Sequence, residues 1–218
     1  MTFDQLPAAA AAYGLNLTDV QCTALQTLLA ELNDWNQRIN LTAIREPQQQ
    51  ITKHLLDSLS IHSFLRGARI ADVGTGAGFP GLPLALVNPD KQFVLIDSVN
   101  KKLRFVAHAA QAMGLNNVTV LHTRAQDYLQ KNAQPVQPDL RFDCVVSRAM
   151  GSIENFVTWC GHLCISGGSL LSMKGKYPEY ELKALPSGWK IAAVHELKVP
   201  GLDEQRHLVE ICRSHDRL

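Results

Sequence analysis

The residues of this chain with the clearest chemical content are glycines. Gly74, Gly76, Gly78 and Gly81 lie in the run ADVGTGAGFPG, residues 71–81. Glycines so closely spaced let the backbone take positive φ, and they leave no Cβ between a ligand and the main-chain N–H groups. Gly76, Gly78 and Gly81 also satisfy G-x-G-x-x-G, a pattern that carries weight only where it follows a strand and opens a helix. The sequence meets both conditions. Residues 68–73 are short, β-branched and alternately apolar, while Pro80 and Pro83 suit the first turn of a helix continued by Leu82, Leu84, Ala85, Leu86 and Val87. A nucleotide-like ligand is therefore expected on this turn. Asp97 closes the next predicted strand, Phe93-Val94-Leu95-Ile96, where a carboxylate could hold two ribose hydroxyls. NAD and S-adenosylmethionine both carry such a ribose, so the acid does not choose between them.

Further candidates stand where other strands end. Residues 117–122 read as a third strand, and Ala125 and Gln126 in the loop after it can present backbone and amide groups to an adenine edge. Residues 142–146 read as a fourth strand, beside the first and across the point where strand order reverses. It delivers Ser147 and Arg148 to a position facing both cofactor and substrate, and Arg148 is the leading site residue outside the glycines. A fifth strand, 169–173, ends in Lys174-Gly175-Lys176, lysines able to grip a nucleic-acid backbone or simply to be solvated. His54 and Asp57 stand one helical turn apart and read as a local hydrogen-bonded pair fixing a helix junction. The run from Trp159 to Cys164 brings two cysteines and a histidine together. Read as a helix ended by Gly167-Gly168, it puts Ile153, Phe156, Val157, Cys160 and Cys164 on one stripe and His162 roughly opposite. Cys160 and Cys164 are thus expected in the core, with no metal bound.

The elements that must carry these residues are those of an α/β chain. With 218 residues, 46% hydrophobic and 19% charged, one compact α/β domain with an accessory segment is expected. Thr18-Asp19 can cap an amphipathic helix with Leu25, Leu28, Leu29, Leu32, Trp35 and Ile39 on its apolar face, ending near Asn40. A second helical stretch is predicted over residues 50–64, burying Ile51, Leu55 and Leu59. Residues 1–66 read as a helical cap and 67–218 as the sheet domain. Residues 100–113 read as a crossover helix with Lys101, Lys102 and Arg104 near its start, and Pro135 and Pro138 mark a surface loop. Residues 189–199 and 206–212 alternate like strands and form an antiparallel hairpin that closes the sheet. The five cysteines, at 22, 144, 160, 164 and 212, are scattered and odd in number, as reduced thiols would be. No window approaches a spanning length, and MTFDQLPAAAAAYG has Asp4 and no basic start. Neither membrane nor export is expected, and the cytoplasm is the expected compartment. A formal net charge of +1 excludes a broadly basic coat, so any nucleic-acid contact must come from a local patch.

Taken in order, the motifs resemble a known family. The sheet domain is similar to the class I S-adenosylmethionine-dependent methyltransferases, in which an Asp-Val-Gly-x-Gly-x-Gly turn such as that at 72–78 opens the fold. More narrowly, Trp35-Asn36 with Asn40-Leu41-Thr42, His54 with Asp57-Ser58, DVGTGAGFPG at 72–81, Ser147-Arg148-Ala149, Met173-Lys174-Gly175 and Arg206-His207-Leu208-Val209 resemble the RsmG (GidB) family over nearly the whole chain. The resemblance implies a Rossmann-like α/β fold: a mostly parallel seven-stranded sheet with an antiparallel C-terminal hairpin and an N-terminal helical cap. It implies methylation of guanine N7 in the 530 loop of bacterial 16S ribosomal RNA, as free RNA or in the small ribosomal subunit, with S-adenosylmethionine as donor. By motif, Gly74, Phe79, Ala125, Gln126 and Arg148 would contact the cofactor, and Asp97 is added by the ribose argument. Gln126 stands where the family often has glutamate, which weakens the charge of the adenine contact. The candidates for RNA phosphates are Lys174, Lys176, Arg38, Arg45 and Lys53. Arg148→Ala is expected to weaken cofactor binding and turnover together.

The residues support this acceptor independently. An enzyme acting on an exocyclic amine commonly carries Asn/Asp-Pro-Pro-aromatic after strand four, and a pyrimidine C5 enzyme needs a nucleophilic cysteine, usually after proline. Neither pattern occurs. Guanine N7 has a free lone pair, so no general base and no covalent nucleophile are required. Catalysis reduces to holding N7 in line with the methyl carbon and sulfur; no catalytic acid or base is expected, and Arg148 is the orienting group. Because N7 lies on the major-groove edge, the base must be unpaired or extruded. Two rivals share parts of the pattern. A nicotinamide-dependent oxidoreductase would use the glycines and Asp97 but needs a proton relay, and no Tyr-x-x-x-Lys or comparable dyad is present. A catalytically silent RNA- or ribosome-binding module would keep the fold without transferring a methyl group.

Overall fold

A seven-stranded sheet runs through the centre of the chain, which a computed structural model describes over residues 1–128, 140–148 and 150–215. The predicted loop at Pro135 and Pro138, and Ala149 of the Ser147-Arg148 motif, lie outside the described residues. The strands are β1 (Arg69–Val73), β2 (Gln92–Asp97), β3 (Val118–His122), β4 (Phe142–Arg148), β5 (Cys164–Lys174), β6 (Trp189–Glu196) and β7 (His207–Arg213). Their order is β3-β2-β1-β4-β5-β7-β6. The first five pair in parallel, and β7 inserts antiparallel between β5 and β6. The order reverses between β1 and β4, so loops leaving their carboxyl ends part and open a crevice.

Alternation along each strand gives the sheet two faces. On one, Ile70, Leu95, Val146 and Leu171 pack beneath helices α2 (Asp19–Asn36), α5 (Gly81–Val87) and α6 (Asn100–Ala112). On the other, Ala71, Ile96, Val145 and Leu170 pack against α7 (Ile153–Cys160). The helices ahead of β1, beginning with α1 (Leu6–Ala10), share the first of these cores, with Leu25, Leu28 and Leu32 of α2 buried in it and Trp35 meeting Phe105 edge-on at 5.8 Å. α2 starts where the sequence indicates: Thr18 Oγ1 accepts from the Gln21 N–H, and Gln21 Oε1 accepts from the Thr18 N–H. It stops at Asn36 rather than near Asn40. The Asn36 side chain accepts from the N–H groups of Leu41 and Thr42 and donates to the Thr42 carbonyl, bending the chain back across the helix end.

The second helical stretch is not uniform. One α-turn, α3 (Pro47–Gln50), runs into a π-helical stretch, Ile51–Leu56, and a last α-turn, α4 (Asp57–Leu59). Such wide turns occur frequently at functional sites. The predicted helix through Cys164 also needs correction. α7 ends at Cys160, a 3-10 turn covers Gly161–Leu163, and Cys164 already opens β5. Gly167 (φ 79°) and Gly168 form an irregularity inside that strand, opposite a register shift between Phe142 and Cys144, instead of a helix stop. Cys160 and Cys164 are nonetheless both buried, one from a helix and one from a strand, and all five cysteines are thiols rather than disulfides. Among the described residues no helix is long and apolar enough to cross a membrane.

Candidate active site

Asp72 organises the turn between β1 and α5. Its Oδ2, fully buried, accepts from Thr75 Oγ1 at 2.6 Å and from the Gly81 N–H at 2.8 Å. A Cβ on Gly81 would lie 2.7 Å from that oxygen, which is why α5 can begin so close to the sheet only with glycine there. The turn consumes most of its own donors. The N–H groups of Gly74 and Thr75 donate to the Ile96 carbonyl, those of Gly78 and Phe79 to the Thr75 carbonyl, and that of Gly76 to Asp97 Oδ2 at 2.9 Å. The expectation of amides bared for a ligand is therefore corrected at these five positions. The absent side chains permit the fold of the turn, including positive φ at Gly74 (70°), and Asp97 braces it.

Burial pushes the Asp72 carboxyl up to about 6, against the opposing pull of the Thr75 hydroxyl, the Gly81 amide and Arg148. Among the described residues its Oδ1 has no hydrogen-bond partner. A carboxyl protonated more readily in the folded than in the unfolded chain stabilises the fold below the ordinary aspartate value of about 4, and that contribution is lost as pH rises through the folded value. Urea unfolding of the cofactor-free chain should thus show stability falling between about pH 4 and pH 6. Asp72→Asn should flatten that part of the profile.

Two clefts open at the carboxyl edge of the sheet. The smaller, about 260 Å³, is bounded by Gly74, Asp97, Thr123 to Gln126, Met150 and Trp159. It collects four of the six predicted cofactor residues: Gly74, Asp97, Ala125 and Gln126. Asp97 Oδ1 accepts from the Val99 N–H and Oδ2 from the Gly76 N–H, and each oxygen keeps a lone pair for a hydroxyl donor. A Cβ on Gly74 would press on Met150 Sδ at 3.2 Å, narrowing the cleft. A carboxylate at the end of β2 beside an amide-bearing loop after β3 suits a ribose with its adenine.

The larger cleft, about 610 Å³, adjoins the first: Met150 lines one and Gly151 the other. Arg148 belongs to this second cleft. Its Nη1 donates to the Lys53 carbonyl at 2.8 Å and to Asp57 Oδ2 at 3.1 Å, while Arg206 Nε donates to Asp57 Oδ1 at 3.1 Å. Asp57, only 3% exposed, is thus held between two guanidinium groups. His54 stacks on Phe79 with centroids 4.5 Å apart, and the Arg148 guanidinium carbon lies 5.6 Å from the same ring. His54 Nδ1 is 3.5 Å from Arg148 Nη2 and Nε2 is 3.0 Å from Thr42 Oγ1. A guanidinium only donates, so Nδ1 accepts and Nε2 carries the proton. Burial, then the Arg148 charge, pushes the imidazole down to about 3, so the ring is neutral at physiological pH. The expected His54–Asp57 pair is corrected accordingly: both side chains face β4, and Arg148 lies between them.

The other predicted residues divide. Phe79 is buried beneath His54 and lines neither cleft. Ser147 does not face a ligand, because its hydroxyl is buried and donates to the Val73 carbonyl, stitching β4 to β1. Lys174 Nζ is a tether, bonded to the Gly151 carbonyl and to Glu181 of α8 (Glu179–Leu182). Lys53 lines the larger cleft, its Nζ 2.7 Å from Glu204. Lys176 and Arg45 are exposed, and Arg38, just beyond the end of α2, pairs with Asp34 of its last turn. Sequence reasoning gave Arg206 no role. Its signal was an arginine set directly before a strand of continuous burial. Among the described residues no group of His, Cys, Asp or Glu could hold a metal ion.

A parallel sheet with strand seven inserted antiparallel between five and six, a glycine turn after β1 and an acid closing β2 define a class I S-adenosylmethionine-dependent methyltransferase. The fold is shared at 13% identity with the SAM-dependent methyltransferase from Thiobacillus denitrificans solved in complex with S-adenosyl-L-homocysteine, at a TM-score of 0.53 over 83% of this chain and 98% of that one. Within that class the chain belongs to the rRNA small subunit methyltransferase G family, whose model matches residues 21–209. The ribosomal RNA small subunit methyltransferase G of Aeromonas salmonicida (strain A449) is 48% identical over 197 residues, 90% of this chain and 91% of that protein. Its counterpart in Marinobacter nauticus is 45% identical over 210 residues, 96% and 94% of the two chains.

Proposed function

We propose that this chain transfers the methyl group of S-adenosylmethionine to N7 of a guanine in the 530 loop of 16S ribosomal RNA, acting in the cytoplasm on the RNA or the small ribosomal subunit. The observation that carries the reading is the pairing of an adenosine-type cleft with a cationic one in which no nucleophilic hydroxyl or thiol and no unpaired carboxylate faces an acceptor. Among the described residues no cysteine, serine or threonine lines the larger cleft, its carboxylate is pinned by two arginines, His54 is too weak a base to take a proton at neutral pH, and the other histidine, His207, is tied by Nδ1 to the Gly175 carbonyl. An acceptor with a free lone pair needs none of these. The bound cofactor supplies an electrophilic methyl carbon on a sulfonium. The chain binds and orients: Asp97 accepts from the ribose hydroxyls, Ala125 and Gln126 meet the adenine, and Gly74 leaves room. The Phe79–His54–Arg148 stack is a rigid wall for the purine. Residues 1–66 act as a cap on the methyltransferase domain, 67–218, contributing Lys53, His54 and Asp57 to the acceptor side.

The test is incubation of unmodified small subunits with labelled donor, followed by mapping of the modified nucleotide. Label on that guanine N7 is expected. Label on another atom, binding without transfer, or binding of NADH but not S-adenosylmethionine would overturn the reading. Because the contacts of Arg148 lie on the larger cleft, Arg148→Ala is now expected to separate the two effects. Turnover should fall by about 10²-fold from lost positioning. Cofactor affinity, measured by titration calorimetry, should change far less, and an equal loss in both would return Arg148 to the cofactor side.

A further inference from the structure

Among the described residues four cations, Lys53, Arg148, Lys174 and Arg206, line the larger cleft against one carboxylate, Asp57. Two acidic side chains outside that lining complete the pairing: Glu181 on Lys174, and Glu204 on both Lys53 and Arg206. They differ in how firmly they are held. The side chain of Asp57 is 4% exposed, that of Glu181 34% and that of Glu204 54%. An ion pair so open to water contributes little net stability, and its carboxylate is the easiest of the three to displace.

The geometry points to a phosphodiester subsite at Lys53 and Arg206, in which Glu204 holds the place of a backbone phosphate of the acceptor RNA until that RNA binds. This inference rests on the reading of the acceptor as RNA. Glu204 Oε1 lies 2.7 Å from Lys53 Nζ and Oε2 lies 3.0 Å from Arg206 Nη2, one oxygen to each cation. A phosphodiester carries the same single charge on two non-bridging oxygens and can repeat both contacts. The exchange leaves the charge of the cleft unchanged. The Arg206 guanidinium, by contrast, is held by groups other than Glu204, and Lys53 is anchored by its backbone. Arg206 is held at Nε by Asp57 and at Nη1 by the Gln205 carbonyl, so that Nη2 is the nitrogen left to Glu204. The backbone of Lys53 is held through its carbonyl by Arg148. Hydrogen bonds from Lys53 and then Arg206 keep the Glu204 carboxyl below its usual range, so it stays ionised as a competing anion.

Binding of a short fluorescein-labelled single-stranded RNA containing unpaired guanines, read by fluorescence anisotropy, tests the subsite, with methyl transfer to unmodified small subunits followed in parallel. Glu204→Gln is expected to lower the Kd about two- to fivefold and Lys53→Met to raise it by a similar factor, the size of one exposed charge contact. In the Lys53→Met background the gain from Glu204→Gln should shrink by more than half, because one of the two unmasked cations is gone. Asp203→Asn makes the same charge change on the neighbouring residue, which no cleft cation pairs, and should leave the Kd within a factor of about 1.5 at physiological salt. Weaker or unchanged binding by Glu204→Gln, an undiminished gain in the Lys53→Met background, or an equal gain from Asp203→Asn would overturn the subsite. If the wild-type chain itself neither binds nor methylates RNA, the acceptor reading fails first. If it does both and Glu204→Gln is silent, only the subsite falls.

Discussion

Asp57→Ala is expected to destabilise the chain by about 3 kcal/mol, at the lower end of what removing one member of a buried ion cluster costs, and to abolish measurable methyl transfer. The Asp57 carboxylate is the shared partner of Arg148 and Arg206, whose side chains are only 23% and 16% exposed. Deleting it leaves two guanidinium groups facing one another across the floor of the cleft. The loss stays at the lower end because each arginine keeps a second acceptor, the Lys53 carbonyl for Arg148 and Glu204 for Arg206. In a chain of this length such a loss lowers Tm by roughly 6–12 °C. Asp57→Asn, which keeps an acceptor oxygen without the charge, should fall between. Exchanging Asp57, Arg148 and Arg206 together for apolar residues of similar size should recover much of the stability and none of the transfer, since a buried ion cluster as a whole contributes little net stability. A Tm for Asp57→Ala within about 2 °C of wild type would show that water replaces the carboxylate and that the cluster holds nothing together.

That cluster also marks the limit of what the sequence reveals. The strands of the parallel sheet are legible because their alternation is local, and the glycine turn because it sits between a strand and a helix. Asp97, Ala125 and Gln126 follow from one topological rule, that ligands sit beyond the carboxyl ends of strands where their order reverses. The assembly of Asn36, Thr42, His54, Asp57, Arg148 and Arg206 follows from no local rule. Asn36 holds Thr42, Thr42 holds His54, and Arg148 meets both His54 and Asp57, which Arg206 reaches from the far end of the chain. Arg148 is marked by its place at the end of β4 and His54 and Asp57 by their spacing, but their meeting is not, the others read as ordinary polar side chains, and only β4 and β7 flanking β5 bring them together. The direction of the glycine-turn amides was hidden for a related reason. A pattern of glycines reports where backbone can approach something, and here the thing approached is Asp72 and Asp97 of the chain itself. Cys164 was misplaced because apolar spacing over so short a run fits a helix and a strand equally well.

Gly81→Ala should be strongly damaging for a single added methyl group, costing about 2–6 kcal/mol and weakening S-adenosylmethionine binding by at least tenfold. The new Cβ would lie 2.7 Å from Asp72 Oδ2, 2.8 Å from Leu95 Cγ and 3.0 Å from Leu95 Cδ2. Asp72 and Leu95 are both fully buried in paired central strands, so neither can give way. α5 must then move off the sheet. Overpacking of this kind costs about 1–3 kcal/mol, and a lost hydrogen bond from Gly81 that leaves Asp72 short of a donor adds about 1–3 kcal/mol more. The same shift carries the turn ahead of α5 away from Asp97, whose carboxylate both braces Gly76 and lines the cofactor cleft. Gly114→Ala provides the comparison. Gly114 has φ 71° and open space where its Cβ would stand, so the substitution carries only backbone strain of about 1–2 kcal/mol and should leave cofactor affinity intact. Calorimetric titration of both variants separates a general loss of stability from a specific loss of the site. If Gly81→Ala binds the cofactor as tightly as Gly114→Ala does, close approach of α5 to Asp72 is not what shapes the cleft.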